Sequence, residues 1–378
     1  MDQLYGSSIM QKKYISEKNT NYQKSDKLKI KIVENGLVIP LEKSIKNDFS
    51  FYGGVYDYDM NLIDLSLNTR RSPPSFNYQY NEWYCGYNSD ILNFKIKEES
   101  KTVVFLGAFH SHFGHFILES ISRLWFFLEK NNKDLEYVFI SENDINNEFL
   151  EFIRLFGLNI TNINRVKSPT RYSKVIIPEM SIRLHDYFHL SYKKIIDKMI
   201  FNVPVESKKK VYYLSRQNIK NNRVFGEYLF ELTFKILNIE FLYPENLSAI
   251  KLISKLQSSK KIIAISGTNS HNSIFIPDNA TLVCLNRSPH FHPPQIMIDR
   301  MKKLKTLYID IFLFRFGDWS TGPFFIYRSK YFVKWIYSEF EKKINNKITF
   351  AFISELMTYF IRVVKIIIAN IIYKSKFK

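Results

Sequence analysis

What most constrains this chain is a pattern that begins at Thr102 and then repeats: a short apolar run, an amphipathic stretch, another short apolar run. The run TVVFLGAF leads into a helix expected from Phe113 to Lys130. Strand EYVFIS follows, then a helix through NEFLEFIRLF stopped by Gly157, strand KVIIPE, and a helix near 186–202. After Pro204-Val205-Glu206-Ser207-Lys208, which reads as a linker, the pattern restarts. Strand KKVYYLS precedes a helix over 224–237, then come strand EFLY, helix 246–258, strand KKIIAIS, a short helix near 270–275 and strand ATLVCLN. Short apolar strands alternating with amphipathic helices are how a parallel sheet wrapped by helices is written in sequence. The expected fold class is therefore α/β, with two Rossmann-like domains facing a cleft. Residues 29–203 form the first domain and 204–325 the second.

The flanks read differently. Residues 1–28 are polar and rich in Lys, Asn and Ser, and are expected as a flexible leader. They contain no apolar core of a signal peptide, so the chain is expected to stay in the cytoplasm. Residues 29–100 alternate β-like runs with turn clusters such as Gly53-Gly54 and Arg71-Ser72-Pro73-Pro74. Residues 326–378 are expected as a basic, amphipathic helical tail. On a helix, Phe350, Ile353, Met357, Phe360, Ile361, Val364, Ile368 and Ile371 share one face, with Glu355, Thr358, Arg362, Lys365 and Ala369 opposite. Three charges inside that stretch argue against a membrane-spanning helix. Such a helix can brace the domains, or lie on an anionic membrane with Lys374, Lys376 and Lys378 among the headgroups.

Lys and Arg number 54 against 36 Asp and Glu, a formal charge of +18 over 378 residues. That excess favours anionic partners: nucleotide phosphates, acidic glycans, nucleic acid or an anionic membrane. No helix-turn-helix, zinc-finger or RNP-like segment accompanies it, so a nucleic-acid partner is not expected. The two cysteines, Cys85 and Cys284, are too far apart in sequence for a C-x-x-C zinc or redox motif, and a reducing compartment fits them.

The densest polar cluster runs from His110 to Glu119, where strand TVVFLGAF gives way to a helix. In a doubly wound sheet that point is the mouth of the binding crevice. His115, Glu119 and Arg123 are spaced four apart and fall on one helical face. A histidine beside a carboxylate can serve as general base; the plainer alternative is a solubilising polar stripe. The spacing His110-x-His112-x-x-His115 also matches the histidines of the H-x-H-x-D-H motif in metallo-β-lactamase-fold hydrolases, with Gly114 in place of the Asp. A one-metal zinc hydrolase is thus the alternative reading. A second cluster, Ser266-Gly267-Thr268-Asn269-Ser270-His271-Asn272, follows strand KIIAIS and opens a short helix, a place where backbone N–H groups can meet a diphosphate. Arg216, leaving strand KKVYYLS, and Arg223 can clamp phosphate oxygens. Asp57-Tyr58-Asp59 has the spacing of a metal-binding D-x-D but sits among turn residues, and reads as a solvated hairpin turn.

In their order along the chain these segments resemble glycosyltransferase family 61, particularly bacterial members associated with capsular and surface polysaccharides. Gly53-Gly54-Val55-Tyr56-Asp57 resembles its early G-G-x-Y-D segment. His115-Phe116-Ile117-Leu118-Glu119 with Arg123-Leu124 is similar to its H-[WF]-x-x-[DE]-x-x-x-R-L helix. Tyr213-Leu214-Ser215-Arg216 with Arg223 and Glu227 resembles its [IL]-S-R…R…E block, and Asn272 with Phe275 its later N-x-x-F. One departure stands out: many members carry H-G-A-G where this chain has Ser266-Gly267-Thr268-Asn269, so a contact made by that histidine is absent or passes to His271. The resemblance implies a GT-B-like architecture and an inverting, metal-independent transfer from a UDP-type sugar nucleotide held by the C-terminal domain. The implied acceptor is a surface-polysaccharide or lipid-linked glycan, met at the inner face of the plasma membrane. No cofactor is implied beyond the nucleotide sugar itself. On this reading His115 and Glu119 are catalytic. Arg216, Arg223, Gly267, Thr268, Asn269, His271 and Asn272 bind the donor, and His110, His112 and Arg123 line the acceptor side.

Overall fold

The computed structural model describes residues 3–43, 51–70, 81–82, 95–130, 135–206, 210–219, 222–317, 322–344 and 349–376. The turn cluster at Arg71–Pro74 and Cys85 lie outside them. The chain is mixed α/β and divides into two units, one of residues 21–204 with 248–254, the other of residues 1–20, 205–247 and 255–378.

The first unit is built on a six-stranded sheet ordered Phe51–Tyr56, Ile30–Lys43, Thr170–Pro178, Lys97–Ala108, Glu136–Ile140, Ile163–Arg165. Its last four strands are mutually parallel, and Ile30–Lys43 pairs antiparallel to both of its neighbours. From the central strand Lys97–Ala108 the chain moves outward through Glu136–Ile140 and Ile163–Arg165. It then crosses back to lay Thr170–Pro178 on the other flank, in register Val103↔Val175. The strand order reverses at the carboxyl end of Lys97–Ala108, where such sheets bind ligands. Inward-facing Val103, Phe105, Val138, Val175 and Ile177 form the core beneath that point.

The main sheet of the second unit has six strands, all parallel, ordered Gln3–Tyr5, Lys305–Asp310, Thr281–Asn286, Ser259–Ile265, Lys210–Leu214, Glu240–Leu242. Here the reversal falls between Lys210–Leu214 and Ser259–Ile265. Ile263, Ile265, Val283, Leu285 and Ile309 are fully buried on this sheet, so the near-continuous apolar runs of the sequence reflect strands covered on both faces.

Three expectations need correction. Residues 3–19 are not a loose leader: Gln3–Tyr5 pairs in parallel with Lys305–Asp310, and helix Ser8–Asn19 buries Met10 and Tyr14. Tyr14 packs against the rings of Phe291 and Tyr308 at 5.3 and 5.5 Å, and Arg300 donates to the carbonyls of Lys18 and Thr20. A few apolar anchors at helical spacing suffice to cover a sheet edge, however polar the residues between them.

The helix expected from Phe113 to Lys130 is interrupted. Phe113–His115 is α-helical, Phe116–Ser120 is a π-turn with Ile121 N–H donating to Phe116 O, and a regular helix resumes only at Trp125–Lys130. The break lets Arg123 turn into the interior.

The segment from residue 326 is not one tail. Phe324–Ile326 is a strand beside Val224–Phe225 and Phe312–Arg315, which also shortens the helix expected from 224 to Glu227–Ile236. Helix Lys330–Phe340 then sinks Phe332, Trp335 and Ile336 into the core of the second unit and stops at Glu341.

Candidate active site

In the first unit, the chain leaves strand Lys97–Ala108 and runs directly into the three histidines. His115 Nδ1 lies 2.7 Å from Glu119 Oε2. The carboxylate is buried, with 1% of the side chain exposed, whereas the imidazole is about a third open. With the carboxylate ionised and so able only to accept, Nδ1 is the donor of this pair, and in the neutral ring Nε2 then keeps its lone pair. Glu119 belongs to the π-turn that follows His115, one turn along from the ring nitrogen it meets. His110 and His112 gather around it, with ring centres 5.4 and 5.1 Å from that of His115. His110 N–H is held by Ser120 Oγ at 3.0 Å. Together they line a pocket of about 210 Å³ that continues to Glu142, Asp144 and Phe149 beyond the next strand.

Arg123 does not line that pocket. It is fully buried, and its three nitrogens donate to Pro178 O, Asn68 Oδ1, Leu65 O and Leu67 O at 2.8–3.1 Å. It therefore ties the segment at 65–68 to strand Thr170–Pro178. Its place on the histidine face was an artefact of assuming a regular helix. The zinc alternative also loses its footing: among the described residues no group of three or more His, Cys, Asp or Glu is placed to hold a metal ion. Asp57 accepts from Asn61 N–H and the Asn61 side chain at 2.8 and 3.1 Å in an exposed turn, as a hairpin turn should.

In the second unit a different chemistry collects at the strand reversal. Arg216 leaves the end of Lys210–Leu214, and Gly267 turns the chain at the end of Ser259–Ile265. Gly267 has φ +110°, and a Cβ there would lie 2.8 Å from Arg287 Nη2, so a guanidinium rests on the glycine. Arg287 follows strand Thr281–Asn286, and its guanidinium covers the Phe324 ring at 4.6 Å. Burial, the charge of Arg216 and, less strongly, that of Arg223 push Arg287 down to about 9. Burial likewise lowers Arg216. Both arginines are half-buried, and guanidinium groups clustered in this way favour an anion between them.

Beside Arg216 lies Glu227, fully buried at the start of helix Glu227–Ile236. Its Oε1 accepts from Tyr213 O–H at 2.8 Å and Arg216 N–H at 2.9 Å. Burial raises its carboxyl to about 7, with Arg216 opposing the rise.

The remaining donor candidates divide. Thr268 is half-buried at the turn, while Arg223 is exposed. Asn269 is buried and spans the strand reversal, its Nδ2 donating to Leu214 O at 2.6 Å. Asn272 donates to Asn269 O, and His271 packs its ring against His292 at 5.2 Å. These three build the turn from inside.

Sequence reasoning missed Arg287. The signal was present, because Arg287 follows an apolar strand just as Arg216 does. Glu227 was noticed only as part of a motif, since nothing local announces that it is buried beside arginines.

The family model described as Glycosyltransferase 61 matches residues 113–283. No curated protein matches the chain. The matched span runs from the short helix and π-turn bearing His115 and Glu119 through Arg216, Arg223 and Glu227 past the Gly267 turn, and it stops four residues short of Arg287. Over these residues the chain carries a glycosyltransferase family 61 domain, which makes it a glycosyltransferase.

Proposed function

We propose that this enzyme transfers a sugar, with inversion and without an essential metal, from a nucleoside-diphosphate donor of UDP type to a glycan hydroxyl. The observation that carries the reading is the convergence of Arg216, Arg223 and Arg287 at the strand reversal of the second unit. In this scheme the acceptor hydroxyl gives its proton to His115 Nε2, while Glu119 holds the ring and offsets the charge it gains. The acceptor oxygen attacks the anomeric carbon as the bond from that carbon to the diphosphate oxygen breaks. A single displacement of this kind inverts the anomeric centre. The departing diphosphate gathers negative charge, and the three guanidinium groups with the backbone at Gly267 and Thr268 receive it.

The first unit thus takes the acceptor and the second the donor, in a GT-B-like arrangement. Support comes from the two sheets, each presenting polar residues at the carboxyl ends of its parallel strands. A surface-polysaccharide or lipid-linked glycan as acceptor, and a cytoplasmic site of action, rest on the family resemblance.

The test is calorimetric titration with UDP and other nucleoside diphosphates. Arg216→Ala and Arg287→Ala should each weaken binding by ~1.5–3 kcal/mol, as for loss of a charge-assisted contact. If neither variant changes the affinity for any nucleotide that the wild type binds, the donor site lies elsewhere.

A further inference from the structure

Helix Phe350–Lys376 packs one face on its own unit and leaves the other bare. On the packed face, Phe352, Leu356 and Val363 flank buried Tyr359 against Phe225, Phe314 and Phe325. The one acidic residue of the helix, Glu355, also points inward and accepts from Gly226 N–H. The outward face is apolar. Ile353, Met357, Phe360, Ile361, Val364 and Ile368 are each 47–62% exposed, and the stripe continues to Ile371. This inverts the usual order for a surface helix, whose charged side faces water. Charge follows the same pattern: from Phe350 onward the sequence holds Arg362, Lys365, Lys374, Lys376 and Lys378 against Glu355 alone.

We propose that this face lies on an anionic lipid bilayer, the helix axis parallel to the surface, apolar side chains in the acyl boundary and cations at the headgroups. No described helix is long and apolar enough to cross a membrane, so the helix lies on the bilayer rather than through it. The competing occupant is a second copy of the chain. A two-stranded seam would use a narrower stripe, flanked by opposite charges that pair between helices. Here Ile361 and Ile368 widen the stripe, and the charges beside it are all of one sign, so two copies would repel where a bilayer of anionic lipid attracts. The inference stands apart from the transfer reaction and needs no part of it.

Cosedimentation of the full chain with vesicles tests it, using phosphatidylcholine alone and phosphatidylcholine with about a third phosphatidylglycerol. The wild type should partition onto the anionic vesicles at least ~10-fold more strongly than onto the neutral ones, and lose most of that preference near ~0.5 M salt. The triple variant Met357→Gln, Ile361→Gln, Ile368→Gln alters only exposed side chains. It should bind anionic vesicles at least ~10-fold more weakly while keeping the wild-type unfolding transition. Equal vesicle binding by the two proteins overturns the proposal. So does a wild type that ignores vesicles, in particular one that is dimeric by light scattering and becomes monomeric in the variant.

Discussion

Replacing Glu227 by Gln should flatten part of the protein's pH–stability profile. The folded carboxyl holds its proton to about pH 7, because it is fully buried, whereas in the unfolded chain it releases the proton near its ordinary 4.5. Between those values the folded state binds more protons than the unfolded one, so stability falls as pH rises. The contribution is complete below pH 4.5 and is lost as pH passes through about 7. At about 1.4 kcal/mol per pH unit the loss amounts to about 3 kcal/mol.

Gln keeps the shape of Glu227, and its carbonyl oxygen can still accept from Tyr213 O–H and Arg216 N–H. The variant should therefore fold, but without this titration. Glu231, Glu245 and Glu355 are also raised by burial and push the profile the same way, so the wild-type slope alone is not diagnostic. The difference between variant and wild type is. Urea unfolding of both proteins between pH 4.5 and 8 should show that difference changing by about 3 kcal/mol in favour of Gln at the alkaline end. A difference that stays constant with pH refutes the assignment of a buried, proton-retaining carboxyl beneath the arginines.

Two further outcomes follow from the geometry. His115→Ala and Glu119→Gln should each lower kcat by ~10²-fold or more with little change in nucleotide affinity, as expected for lost base catalysis; near-wild-type turnover in both would move the base elsewhere. Gly226 has φ +91° and a Cβ there would fall 2.0 Å from Ile326 O, so Gly226→Ala should cost at least ~2 kcal/mol in thermal or urea unfolding. An alanine tolerated there would show that Phe324–Ile326 does not lie against the start of helix Glu227–Ile236.

The alternation of short apolar runs with amphipathic stretches determined the mixed α/β class. It also located most parallel strands, from TVVFLGAF to ATLVCLN, because strand and helix periods are local properties of the sequence. His115 and Glu119 were legible as a pair for the same reason: four residues apart on a helical turn is a local spacing. Arg123 was misplaced by that very logic, since the helix is interrupted before it and its guanidinium is held inside by distant partners, Asn68 and Pro178. The N-terminal residues looked too polar to fold, yet Met10 and Tyr14 need only an uncovered sheet edge, and that edge is made by strand Lys305–Asp310, some 300 positions later. Arg287 and Glu227 became site residues only through convergence. Three strand ends meet where the strand order reverses, and the burial of Glu227 beside half-buried arginines is not revealed by their sequence neighbours. The sequence by itself determined most of the parallel strands and the apolar stripe of the last helix. Tertiary packing decided which charges are buried together and that the stripe faces outward, because burial and long-range electrostatics depend on what the rest of the chain brings alongside.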